Sequence, residues 1–182
     1  MATAQLESVI PIGTWRSDPV HSSVGFAVKH MVVATFRGGF TDFDVTLVNE
    51  DCEPRLSGTA RVESVDVRDE NLKGHLLSPE FFDVERTPEI AFQSSDIRVD
   101  GGELIVSGEL TIKGGSRSVE ARGTIVGPVD HPAGGERAGI DLSTTVDRTD
   151  FDLNWNAPLP KGGVMVENDV ELNIHLELAR EE

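Results

Sequence analysis

Between Leu104 and Ile125, apolar or small side chains recur at every second position: Leu104, Val106, Gly108, Leu110 and Ile112, then Val119, Ala121, Gly123 and Ile125 beyond Lys113-Gly114-Gly115. A period of two sends neighbouring side chains to opposite faces of an extended chain, so this stretch specifies a β-hairpin with one apolar face. The same alternation returns along the chain. Val20, Val24, Phe26 and Val28 are in phase, and Phe43, Val45 and Leu47 form a second run that is expected to pair with the first across Gly38-Gly39. Residues 55–67 hold Leu56, Gly58, Ala60 and Val62 on one face. Ile90 and Phe92 give way, with a change of phase, to Ile97 and Val99 before the turn signal Asp100-Gly101-Gly102. Ala138, Ile140, Leu142, Thr144 and Val146 alternate after the Pro128–Gly135 loop, and Val164–Leu178 is read as the last strand, with Val170, Leu172, Ile174, Leu176 and Leu178 in phase.

Only Asp69–Leu77 reads as a helix, with Leu72 and Leu76 four apart and Ser78-Pro79 as its stop. Phe81 and Phe82 behind it are expected to fill a packing gap, and Phe151–Gly163, with Trp155 and two prolines, to form an ordered loop or lid. About eight strands in a meander, with no βαβ repeat, favour an all-β fold in which an antiparallel barrel closes on itself and leaves no exposed edge. Inward Gly58, Ala60, Gly108, Ala121 and Gly123 leave room in such a barrel for a narrow ligand. A last strand of this length spans about 50 Å, or about 35 to 40 Å along the axis of a tilted barrel.

Composition narrows the function. With 182 residues, one domain is expected: an extension at residues 1–12 and the barrel at residues 13–180. A net charge of −16 argues against nucleic acid as a partner, although a local basic cluster can still hold a phosphate. The single cysteine, Cys52, excludes an intramolecular disulfide and a multi-thiolate metal site. Residues Met1–Ile12, which include Glu7 and Pro11, lack the basic start and apolar run of a secretory leader, and no apolar stretch is long enough to span a bilayer as a helix. The expectation is a cytoplasmic protein.

Several segments in order resemble the YceI-like family, whose members are lipocalin-like barrels that bind polyisoprenoids: Trp15-Arg16-Ser17-Asp18-Pro19-Val20-His21-Ser22, Phe26-Ala27-Val28-Lys29-His30-Met31, Phe36-Arg37-Gly38-Gly39-Phe40, Gly74-His75-Leu76-Leu77-Ser78-Pro79-Glu80-Phe81-Phe82-Asp83, Pro88-Glu89-Ile90-Ala91-Phe92-Gln93-Ser94 and Gly108-Glu109-Leu110-Thr111-Ile112-Lys113-Gly114. The resemblance spans about Thr14 to Leu178. It implies an extended eight-stranded antiparallel lipocalin-like β-barrel with one short helix, a polyisoprenoid or other long-chain lipid in its pore, and a homodimer. One departure stands out: where the family often has glycine after Arg-Ser-Asp-Phe, this chain has Arg148-Thr149-Asp150-Phe151-Asp152.

A long isoprenoid is held mainly by removing apolar surface from water. The expected lining is Val24, Phe26, Val28, Phe43, Leu56, Val62, Phe92, Leu110, Ile140, Leu142, Leu172 and Ile174, each in the apolar phase of its strand. A polar or phosphorylated headgroup needs charged or N–H donors, for which His21, Ser22, Lys29, His30, Arg37, Lys113 and Arg148 are the candidates. Asp18, His21, Ser22 and His75 supply triad residue types without a nucleophile elbow, and the five histidines lack helical zinc spacing, so no catalytic residue, metal or cofactor is assigned. The function expected is binding, storage or transport of a lipid. The alternatives are an enzyme acting on an amide, ester or isoprenoid in the same cavity, or a stress-related interaction module with a structural lipid.

Overall fold

The computed structural model describes residues 12–182, so nearly all of the segment read as an N-terminal extension lies outside the described residues. Eleven strands form one antiparallel sheet: β1 (Gly13–Ser17), β2 (Ser23–His30), β3 (Ala34–Phe40), β4 (Phe43–Glu50), β5 (Glu53–Arg61), β6 (Val65–Asp66), β7 (Glu89–Asp100), β8 (Glu103–Ile112), β9 (Gly115–Asp130), β10 (Glu136–Asp147) and β11 (Val166–Arg180). Eight of them close a ring in the order β1-β4-β5-β7-β8-β9-β10-β11, because β1 pairs with both β4 and β11. The long β11 makes this possible. Its end meets β1 at Leu178, Ala179 and Arg180, while its earlier part, from Val166 to His175, pairs with β2, which carries β3 and β6 beside it.

The β8–β9 hairpin has the register the alternation predicts, with Val106 opposite Ala121 and Leu110 opposite Arg117 around the turn at Lys113 and Gly114. The phase change in β7 is a bulge: register against β8 shifts between Ser94 and Asp96, and one extra residue keeps Ile97 and Val99, opposite Val106 and Leu104, on the same inward face as Phe92. The helix α1 (Glu70–Leu77) is capped by Asp69, whose side chain accepts from the Leu72 N–H at 2.9 Å.

Four local expectations are corrected. Val20 is not part of β2; Asp18 Oδ1 accepts from the Val20 and His21 N–H groups, which turns the chain and leaves Val20 81% exposed. Phe43–Leu47 does not pair with β2, because β3 intervenes and β4 pairs with β1 and β5. Gly38 lets β3 approach: a Cβ there would lie 2.6 Å from the Phe26 ring. The strand over residues 55–67 stops at Arg61 and turns through a 3₁₀ segment at Val62–Ser64, and β9 runs through Pro128 to Asp130 before its loop.

Two apolar clusters divide the interior. At the end where β1 closes the ring, Trp15, Leu47, Leu104, Ile140 and Leu178 form one buried cluster, and Trp15 and Leu178 are fully buried. At the opposite end the strands surround space. The second cluster there includes Phe40, Leu76, Phe81, Leu110, Phe151 and Leu153. On one side of that end, β3 is paired beyond β2 only at Gly39 and Phe40, to β6. The α1 segment covers the resulting gap, with Phe82 edge-on to Phe40 at 5.9 Å.

Candidate functional site

Inward residues of β2, β5, β7, β8, β9, β10 and β11, together with α1 and the loop after β10, surround a cavity of about 760 Å³. That volume lies within the ~300–1,000 Å³ common for small-molecule sites. Hydrocarbon side chains dominate its wall, and its floor is the face of the packed cluster formed by Val45, Leu56, Val106, Leu142 and Leu176. Trp15 lies beyond that floor and shuts the barrel, so the cavity is a pocket with one blocked end rather than a tunnel through the whole roll.

Of the expected lining residues, Val24, Phe26, Val28, Leu56, Phe92, Leu110, Leu142, Leu172 and Ile174 face the cavity. Phe43, Val62 and Ile140 do not. Ile140 belongs to the packed end, Phe43 packs between the two clusters, and Val62 is turned into the protein by the 3₁₀ segment. Gly58, Ala60 and Ala121 do line the space. Gly108 and Gly123 were expected to leave room but instead permit close strand approach: an added Cβ would lie 2.4 Å from the Gln93 carbonyl oxygen and 1.8 Å from that of Asp141.

Sequence reasoning missed part of the wall. Leu72, His75 and Leu76 face the cavity from α1, at the i, i+3, i+4 spacing of one helical face, a signal the sequence did contain. The His75 ring stands edge-on to Phe81 and Trp155 at 4.9 and 4.7 Å, and its Nε2 is 2.6 Å from Glu80 Oε2. This links α1 to the loop after β10.

That loop is built by two polar side chains. Arg148 is only 4% exposed, lines the cavity, and donates to the carbonyls of Leu153, Trp155 (2.9 Å), Val166 (3.2 Å) and Glu167 (2.9 Å). Burial pulls its pKa below the ordinary guanidinium value, and neighbouring Asp147 opposes the shift. Asn156 Oδ1 accepts from the Ala157, Met165 and Val166 N–H groups, while its Nδ2 donates to the Val166 carbonyl at 2.7 Å. Asp152, in place of the glycine of the resembling pattern, adopts φ 60° and ψ 25° and ends the 3₁₀ turn Arg148–Phe151. Asp is among the few residues that tolerate the left-handed region, so the turn persists without glycine.

The other headgroup candidates are scattered. Lys29 and His30 are exposed and stand at the cavity edge. Arg37 is exposed on β3 and outside the cavity wall. Lys113 donates to the Pro79 and Asp152 carbonyls, at 2.9 and 3.1 Å, and braces loops rather than the cavity. His21 and Ser22 are outside the wall as well. Ser22 Oγ donates to the Glu177 carbonyl at 3.3 Å and accepts from its N–H at 3.0 Å, pinning the chain before β2 onto β11. His21 Nδ1 is 3.4 Å from Asp18 and 3.8 Å from Glu177, a grouping of metal-capable side chains, but Arg137 Nε lies 3.5 Å from the same Glu177 oxygen and supplies the positive charge.

The model of the YceI-like domain matches residues 15–178. A UPF0312 protein of Staphylococcus aureus (strain N315) is 30% identical over 169 residues, covering 89% of this chain and 95% of the relative. The crystal structure of BcnA from Burkholderia cenocepacia superposes with a TM-score of 0.75 at 23% identity, covering 88% of this chain and 98% of BcnA. A polyisoprenoid binding domain from Saccharophagus degradans, described as implicated in plant cell wall breakdown, superposes with a TM-score of 0.67 at 11% identity, covering 92% and 98%. With the closed barrel, the covering helix and a sequence match that runs from β1 into β11 in agreement, the chain belongs to the YceI-like family.

Proposed function

We propose that this chain binds a long-chain, lipid-like molecule, a polyisoprenoid by preference, with the hydrocarbon in the barrel cavity. The observation that carries the reading is the preformed space of about 760 Å³ walled almost wholly by hydrocarbon. Water in such a space has few partners, while an apolar chain gains roughly 25 cal/mol per Å² of its own surface removed from solvent. The polyisoprenoid binding domain of Saccharophagus degradans shares this fold, which supports the choice of ligand class. Lys29 and His30 at the rim, and His75, Thr144 and Arg148 in the wall, are among the polar groups that line the cavity.

Binding is favoured over catalysis by how the polar groups are used. Arg148 and Asn156 spend their hydrogen bonds on loop carbonyls and amides, and Ser22 spends its on the backbone of β11. Storage or transport of the lipid follows as the proposed role. The test is native mass spectrometry, with organic extraction, on gently purified protein. A retained lipid, or uptake of an added prenyl alcohol with one-to-one stoichiometry, is expected. Protein that is empty and refuses prenyl ligands refutes the reading.

A further inference from the structure

The turn joining β2 to β3 breaks two rules at once. Met31, Val32 and Val33 form its apex and are 41%, 61% and 84% exposed, three successive large apolar residues in water. Met31 and Val32 also have φ of +52° and +65°, in a turn closed by the Val33 N–H on the His30 carbonyl at 3.2 Å. Tight hairpin turns with two positive φ values favour Asn-Gly, and a β-branched residue in that region is an outlier. Local conformation therefore argues against these residues, and so does solvation.

Their position supplies the reason. Lys29, His30, Ala34 and Thr35, on the two strands that carry the apex, lie on the cavity edge, as do Met165 and Val166. The Met31 N–H donates to the Met165 carbonyl at 2.8 Å, which ties the apex to the adjoining small hairpin whose bridge is Pro158 to Val164. Val164 is itself 37% exposed. In a chain of net charge −16, neither residues 29–35 nor residues 157–166 contain an Asp or Glu; their ionisable side chains are Lys29, His30 and Lys161.

From this we infer that the paired tips, Met31–Val33 and the hairpin around Lys161, dock on a lipid bilayer surface, inserting the apolar apex and setting the cavity mouth against the membrane. The inference rests on the proposed lipid-binding role of the cavity. An apolar apex with a basic and acid-free border matches the interface between acyl chains and headgroups. The rest of the acidic surface is held off by repulsion from anionic lipid, which orients the molecule tip-first. A second copy of the chain is a poorer occupant: a stable protein interface needs about 800 Å² from each partner, and two narrow tips present a handful of residues.

The test compares the intact protein with the triple variant Met31→Asn, Val32→Gly, Val33→Ser, which gives the turn its preferred residues and removes the apolar apex. Flotation with phosphatidylcholine vesicles, with and without phosphatidylglycerol, measures docking; uptake of a fluorescent farnesyl alcohol delivered from ethanol measures the cavity. Expected are vesicle partition weakened by about tenfold or more, as removal of this much buried apolar surface implies, unchanged uptake of the free probe, and equal or higher thermal stability. Partition of the variant equal to that of the intact protein overturns the docking, as does intact protein that takes up probe but never floats. Concentration-dependent dimerisation lost in the variant, without flotation of the intact protein, overturns it in favour of a second copy. Failure of both proteins to take up free probe overturns the cavity reading instead, and with it any role for docking in lipid exchange.

Discussion

Ala121→Leu separates a cavity from a packed core by the sign of two effects. Ala121 sits on β9 opposite Val106, faces the cavity and is partly exposed to it, so a larger side chain there enters empty space. Leucine adds three carbons; at ~0.8 kcal/mol for each methylene buried, the gross gain is about 2.4 kcal/mol. Fixing the new rotamer costs about 0.5–1 kcal/mol, which leaves roughly 1.5–2 kcal/mol in favour of the ligand-free protein. For a chain of this size that corresponds to a rise in Tm of roughly 3–8 °C. The same side chain occupies volume the ligand needs, so the increment in Tm produced by a saturating prenyl alcohol must shrink. Thermal melts followed by far-UV circular dichroism, on delipidated protein with and without the alcohol, read both quantities. A lowered Tm in the delipidated variant refutes the reasoning, because overpacking a filled core costs ~1–3 kcal/mol where filling a void does not.

Other perturbations test the frame around the cavity. Gly123→Ala places a Cβ 1.8 Å from the Asp141 carbonyl oxygen, so β9 and β10 must part, and a loss of about 1–3 kcal/mol is expected in urea denaturation. Arg148→Met keeps the bulk but strips donors from the Leu153, Trp155, Val166 and Glu167 carbonyls; at ~1.5–3 kcal/mol for each charge-assisted bond, a loss above about 3 kcal/mol is expected, with faster amide exchange across residues 152–166. Acid should loosen the same region. The Thr149 hydroxyl and N–H hold the Asp147 carboxyl below the usual aspartate value, so its contribution is complete above that value and is lost as pH falls through the lowered one; Asp147→Asn should flatten the acid limb of a stability–pH profile.

How much of this was legible in the sequence depends on the length of each pattern. β8, β9, β10 and β11 are each ten residues or longer and hold their apolar alternation over seven to nine residues, and even the break of phase in β7 marked a bulge. β1 has five residues and one large apolar side chain, Trp15, too few for a period to show, although that residue closes the barrel. β3 was obscured by Gly38 and Gly39, which signal a bend in isolation but here serve strand approach against Phe26 and Val24. The same ambiguity misled the reading of Gly108 and Gly123, since absence of a side chain marks either room for a ligand or contact with a backbone. Arg148 was among the headgroup candidates; its four carbonyl partners come from residues up to 19 positions away and leave no local signature.

The Trp15 plug has a consequence for traffic. Under the proposed lipid-binding role, a base sealed by Trp15 bars passage through that end, so cargo taken in hydrocarbon first leaves headgroup first, away from the plug. Depth then acts as a gauge: a chain that bottoms out on Val45, Leu56 and Leu176 leaves its excess length, and its polar end, outside among Lys29 and His30.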